Sequence, residues 1–446
     1  MKKLVLLILL ILPLWIYAQD MPFTVRAKTR FASSGMVGYE TVDSLRYYRA
    51  RWIPEFKIKK VQMGLDLDFL FDKKFRLKVE DWDHLIDYLY KIYYLKYGNR
   101  RDMFYGHIGG FPNTTIGTGL IMGKYSNMAL YPQMRNLGLM IGGNPPIPTN
   151  PSFELFSSNI FKNEILSFSA RCKPLPDSTL KVIDGMVWGL NIVTDRNQYS
   201  NLKAVVPDSV YSIMAKPRKQ GVTLIGVALD MPLYKSEKYI FGTYSEFAHI
   251  FGLGSGAVIP GVYADFHFVK LNLEYRRYGR RFDPAFFDED YEEERGQWEY
   301  NEETDTYRYF TKRDFVKTLS PADGINGSVQ GNYKDKIKAS VTWQNIIGED
   351  FRNRKSLWLR FWADTQYRRW ENFSISYSRT NQRRLSIARL SEHGTKLSAS
   401  STFRIDDHWY AIAKLGLSFK DRNGDGVVKW GRESRISGSL GLKYVR

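Results

Sequence analysis

The run DRNGDG near the C-terminus sets Asp421, Asn423 and Asp425 at alternate positions ahead of Gly426. Oxygen donors at that spacing suit a hard cation, and glycine at the sixth position permits the sharp bend of a calcium loop. The twelfth position is Arg432, not a bidentate glutamate, and Glu433 falls one place late. Asn-Gly and Asp-Gly are also the residues of a hairpin turn. Ca2+ held by Asp421, Asn423 and Asp425 therefore stands beside a plain turn as the reading of this segment.

Basic side chains offer a second function, selection by charge. Lys336, Lys338, Arg360, Lys396, Arg404, Lys414, Lys420, Arg435 and Lys443 all fall on the polar positions of alternating segments, in a chain of net charge +18. Lining a wet lumen, they would focus positive potential and favour anions. At the rims they would instead meet lipid phosphates, or pair with acids such as Asp66, Asp68 and Glu274. Because these residues alternate within segments and do not cluster, nucleic acid is not an expected partner.

Catalytic chemistry has little to work with. Of six histidines, His84, His107, His267, His393 and His408 are scattered without a partner pattern. Glu246 and His249 are three apart, so a regular strand places them on opposite faces. A hydrolase site assembled from separate strands is the weaker alternative; the expectation is no enzyme and no cofactor. The Gly117–Gly123 stretch, GTGLIMG, lacks the spacing of a dinucleotide fingerprint. It reads as a hydrated loop folded near or into a lumen.

The elements that must position these groups are strands. VQMGLDLDFLFD puts Val61, Met63, Leu65, Leu67, Phe69 and Phe71 on one side and Gln62, Asp66, Asp68 and Asp72 on the other. Its length is about what a tilted strand needs to cross a bilayer, roughly 9–11 residues. The pattern recurs in KIKASVTWQ, LWLRFWAD, NFSISYS, TKLSASSTFRI and HWYAIAKLGLSFK. Tight turns near Lys334–Asp335, Tyr367–Trp370 and Asp406–Asp407 alternate with longer loops, as in outer-membrane barrels. The prediction is an all-β, antiparallel transmembrane β-barrel of about 18 strands, within 16–20, with long extracellular loops and short periplasmic turns. A short helix is expected in EDWDHLIDYL and a bulge in KYIFGTYSEFAHI. A two-sheet sandwich is the alternative that also alternates.

The first residues, MKKLVLLILLILPLWIYAQD, read as a secretory signal peptide over 1–18, leaving 19–446 as one barrel domain. Cys172 is the single cysteine, so stability must come from strand pairing and not from disulfides. A long acidic extracellular loop is expected at about 281–321: between Asp283 and Asp305 eleven acids stand against one arginine. Like charges in a row stay solvated, but Phe282, Phe286, Phe287, Tyr291, Trp298 and Tyr300 argue against disorder. The loop could bind cations at the lipopolysaccharide surface or fold back on a basic lumen.

Two stretches resemble segments of uncharacterised, porin-like bacterial outer-membrane proteins. One is MFYGHIGGFPNTTIGTGLIMGKYSNMALYPQMRNLGLMIG, with its Thr/Gly-rich turn, G-x-G, Y-S-N and R-x-x-G; the other is FDPAFFDEDYEEER. Ser439, Gly441 and Tyr444 are similar to the C-terminal assembly signal of such barrels, with Arg446 where an aromatic is usual. The resemblance implies a Gram-negative-type outer membrane and contact with its lipids, lipopolysaccharide and the barrel-assembly machinery. The functional expectation is a porin-like pore for passive diffusion of small polar or anionic solutes. A plugged barrel serving as a structural or secretion-machine component is the alternative. Oligomeric state is left open.

Overall fold

The strands close on themselves. In the computed structural model the main sheet has 21 hydrogen-bonded segments. Val61–Leu65 and Leu67–Phe71 are halves of one strand interrupted at Asp66, so the ring has 20 positions. The structure describes residues 31–42, 45–79, 82–100, 102–131, 134–175, 183, 185–206, 208–301, 306–349, 354–367, 369–383, 392–419, 421, 428–430 and 433–445. The signal peptide expected over 1–18 lies outside them, as do Lys420, Asn423, Asp425 and Arg446. Closure is made by Phe31–Val42, which pairs antiparallel with Leu45–Ile58 on one side and with Ser434–Val445 on the other. Every pairing around the ring is antiparallel, so no sheet edge is left open.

Closure decides what the alternating faces meet. Val341 is 45% exposed and Leu442 is 49% exposed, and Phe247, Leu273 and Ile347 likewise point away from the ring. Their neighbours Ser340, Thr342 and Gln344 belong to the other face. At the end that holds both termini, Trp188, Tyr239, Phe268, Tyr333, Trp370 and Trp409 are exposed close to the connections, where interfacial aromatics belong in a membrane barrel. The three longest connections, 110–137, 196–221 and 279–321, all leave from the opposite end.

The count of 20 corrects the expected 18, and the missing strands have a physical reason. Ile92–Tyr97, Tyr105–Gly109, Gly138–Gly143 and Ser152–Ser157 hold only 5 or 6 residues each. In Gly138–Gly143 the outward Leu139 and Ile141 flank a buried Met140; in Ser152–Ser157 the exposed Phe153 and Leu155 precede a buried Phe156. Strands apolar on both faces lose the polar–apolar alternation that marks the C-terminal third. The expected bulge is present as a register shift between Tyr244 and Glu246, and the expected helix as Leu85–Leu89.

Candidate functional site

Inside the ring, the apolar faces of those short strands meet two loops that turn back from the far end. Residues 110–137 form a small hairpin, Thr114–Ile116 with Met122–Tyr125. Residues 279–321 carry the helices Tyr291–Glu294 and Lys312–Val316 and the hairpin Gly296–Asn301 with Thr306–Thr311. The loops pair with each other through a bridge between Met122 and Phe287, and Ala285 N–H donates to the Leu120 carbonyl. Leu120, Ile121, Met122, Phe286, Phe287 and Tyr291 are fully buried and share one core with Met140, Phe156, Ile165 and Leu224 of the wall. Each such large side chain contributes roughly 1.5–3 kcal/mol on burial. Leu120, Ile121 and Met122 of the GTGLIMG stretch are thus in the lumen but dry, which corrects the hydrated loop expected there, while Thr118, Gly119 and Gly123 border a polar cavity. Wall glycines make room for the stretch: a Cβ on Gly226 would lie 2.6 Å from Ile121 Cδ1.

Two buried ionic clusters peg this plug to the wall. Arg295 is 2% exposed; its guanidinium donates to Asp195 at 3.2 Å, Glu164 at 2.9 Å and Asn201 at 2.6 Å, and it lies 3.4 Å from Glu292. Glu292 also accepts from Tyr125 of the other loop and from Asn201. In the second cluster, nearer the N-terminal strands, Arg135 Nη2 reaches Asp68 at 3.2 Å and Tyr131 Oη at 2.9 Å. Arg49 and Arg51 of the wall hold Asp68 and Asp66 at 2.7 and 2.6 Å. Asp66, where VQMGLDLDFLFD breaks, turns its carboxylate to this inner cluster. The acidic loop is therefore not a solvated run. Lys312 bonds Asp288 at 2.9 Å and lies 3.5 Å from Glu294. Burial disfavours the Lys312 ammonium, yet those carboxylates more than offset it and hold its pKa above the ordinary lysine range.

Between the plug and the C-terminal wall lies a cavity of about 590 Å³. Its wall side is polar and largely neutral: Asn272, Asn326, Ser328, Thr342, Gln344 and Ser356. Most lining charges are matched. Arg276 bonds Glu274 through Nε at 2.5 Å, Arg354 lies 3.8 Å from Asp283, and Asp290 takes Lys396 at 2.6 Å. Lys124 of the hairpin differs. Its Nζ stands 3.3 Å from the centroid of the Trp358 ring, and this buried nitrogen has no hydrogen-bond acceptor among the described residues. Burial pushes its pKa down to about 7; Glu289 opposes the shift, and Arg360 and Arg276 add to it. The Trp358 indole N–H donates to Glu289 at 3.2 Å.

The basic residues named from sequence are dispersed along the ring. Lys396 joins the plug through Asp290, and Arg435 donates to the Tyr131 carbonyl. Arg360 shares the inward face of Trp358 and reaches Lys124 electrostatically. Lys414 is buried opposite Ser400, and Lys443 lies within electrostatic reach of Glu55. Lys336 is exposed in the 334–336 turn, Lys338 pairs with Asp335 at 3.1 Å, and Arg404 lies 3.4 Å from Glu371; these three stand near the end that holds the termini. Of the calcium set, Asp421 alone is described; its backbone N–H donates to His393 Nδ1, and among the described residues no cluster of three metal-ligating acids, histidines or cysteines occurs. His249 Nδ1 lies 2.8 Å from Ser255 Oγ, its direct cross-strand neighbour. Sequence reasoning missed Lys124, Trp358, Arg295 and the Arg135–Tyr131 pair. For Lys124, Tyr131, Arg135 and Arg295 the signal was the pair of porin-like stretches, which the fold packs against each other; Trp358 lies in neither.

No protein-family model matches the chain, and no curated protein matches its sequence. Among solved structures it is similar to the siderophore receptor PirA from Pseudomonas aeruginosa, at 8% identity and a TM-score of 0.41 over 94% of this chain and 81% of that one. It is also similar to OccK5 from Pseudomonas aeruginosa, at 8% identity and 0.34 over 93% and 96%. A third is Wzi, an outer-membrane protein involved in group 1 capsule assembly in Escherichia coli, at 9% identity and 0.37 over 94% and 85%. At those scores nothing of the function or partners of those proteins passes to this chain.

Proposed function

We propose that the chain is a membrane channel of a Gram-negative-type outer membrane, passing small polar solutes with a preference for anions along an off-centre route beside the plug. The observation that carries this is the polar cavity between the docked loops and the wall from Asn272 to Ser356. An outward apolar face on a closed ring supports lipid as its surroundings, and the aromatic belt near the termini supports an interface there. Passage needs no cofactor and no covalent step. Selectivity arises from width and from field, since fixed cations in a narrow low-dielectric passage raise the local concentration of anions. Arg360, Lys396, Lys414, Arg435 and Lys443 would supply that field, with Lys124 in the lining of the cavity.

The dry core shared by both loops favours a second reading, a closed barrel that acts as a structural or secretion-machine component. Reconstituted vesicles separate the two. The channel reading expects uptake of small neutral and anionic solutes, and a reversal potential in a KCl gradient that shows chloride moving more readily than potassium. Vesicles tight to every solute would support the closed barrel, and a cation-selective potential would remove the anion preference.

A further inference from the structure

Lys124 is an uncommon placement for a lysine. Its backbone is left-handed, with φ of 61°, a conformation unfavourable for a non-glycine residue. That conformation turns it from the hairpin toward Trp358 and the cavity. Its ammonium is desolvated, but the only compensation among the described residues is an aromatic face and the distributed field of Glu289. Cation–π attraction returns less than the desolvation of an ammonium costs. A charge-assisted bond from a carboxylate would complete the site.

The rest of the lining limits what that anion can be. Three of the nearby cations are committed to carboxylates, Arg276 to Glu274, Lys312 to Asp288 and Lys396 to Asp290, while Arg383 stands on the exposed side of the lining. Glu289, whose field reaches Lys124, would repel a second negative charge placed beside the first. Away from Lys124 the wall presents amides and hydroxyls, Asn272, Asn326, Ser328, Thr342 and Gln344. Such groups reward a solute with many hydroxyls and penalise an apolar one, whose entry would strip water from them without replacement. A cavity of about 590 Å³ holds a molecule of one or two sugar rings with water to spare.

We propose that this cavity is a binding site for a small, polyhydroxylated monocarboxylate of the sugar-acid class, with its carboxylate seated on Lys124 Nζ beside Trp358. The inference rests on the channel reading only for supposing that solutes reach the site. Binding is therefore measured on the intact protein in detergent, where it succeeds or fails independently of conduction. The probes are D-gluconate, D-glucose and citrate in isothermal titration at pH 6.5, against wild type and Lys124→Met, with retained heat-shifted gel mobility as the folding check. Lys336→Met, in an exposed turn, controls for general loss of positive charge. Wild type and K336M should bind gluconate saturably and at least tenfold more tightly than glucose or citrate. K124M should lose at least tenfold for gluconate while its weak glucose binding stays unchanged. Absence of saturable gluconate binding to wild type, equal affinity in folded K124M, or tighter binding of citrate would each overturn the assignment. If K124M loses its gel shift, Lys124→Gln takes its place under the same criteria.

Discussion

Arg295 shows how a single residue can set the state of the plug. Its guanidinium is enclosed by Asp195 at the end of Val187–Asp195, Glu164 in the connection just before Ile165–Cys172, and Glu292 of its own loop. Truncating one partner of a buried ionic group leaves the others uncompensated, at a cost of about 3–5 kcal/mol. Arg295→Met should therefore release the 279–321 loop without dissolving the ring. The checking measurement is limited proteolysis of reconstituted protein: new cleavage should appear between Phe282 and Val316 while the barrel core stays resistant. Arg295→Lys should be intermediate, because a lysine keeps the charge but not the fork that serves several acceptors. Part of this was legible. Arg295 stands alone in an acidic run, so a role in neutralising it could be suspected from sequence. Asp195 lies 100 positions away, and nothing local marks it as the partner.

Among the elements, the C-terminal strands were readable and the N-terminal ones were not, for one physical cause. Ile337–Gly348 and Arg354–Tyr367 turn exposed apolar side chains outward and polar ones toward the cavity, so their sequences alternate. Gly138–Gly143 and Ile165–Cys172 carry buried Met140 and Ile165 on the inner face because the plug lies against them. The apolar inner residues Met140 of Gly138–Gly143 and Phe156 of Ser152–Ser157 are the imprint of the plug on the wall, whereas Ile165–Cys172 beyond Ile165 turns Ser167 and Ser169 inward and keeps its alternation. The acidic loop was legible as ordered, from its aromatics, yet its inward course was not. Its acids find partners only once Lys312, Arg295 and the distant Lys396 are brought together. At this scale Val341 provides a direct test of which face meets lipid. It is 45% exposed at the middle of Ile337–Gly348, and an arginine at the bilayer midplane of such a strand costs roughly 2–4 kcal/mol. Val341→Arg should lower the yield of heat-shifted barrel and its midpoint in urea-driven unfolding from vesicles. Thr342→Arg, one place along on the inner face, should cost much less, and equal losses for the two would contradict the outward assignment.

For the whole molecule, a closed 20-position ring and a two-loop insert act as separate modules joined by buried ion clusters. On the channel reading the ring would span the membrane and the insert would set the bore. Single-channel recording in planar bilayers tests that division most directly, comparing wild type with the double variant Phe286→Asp and Phe287→Asp. Two carboxylates cannot remain in the dry core between the loops, so the insert should leave it. The account predicts small, discrete current steps for wild type and clearly larger ones for the variant. Silence from both proteins, or steps of the same size from both, would contradict it.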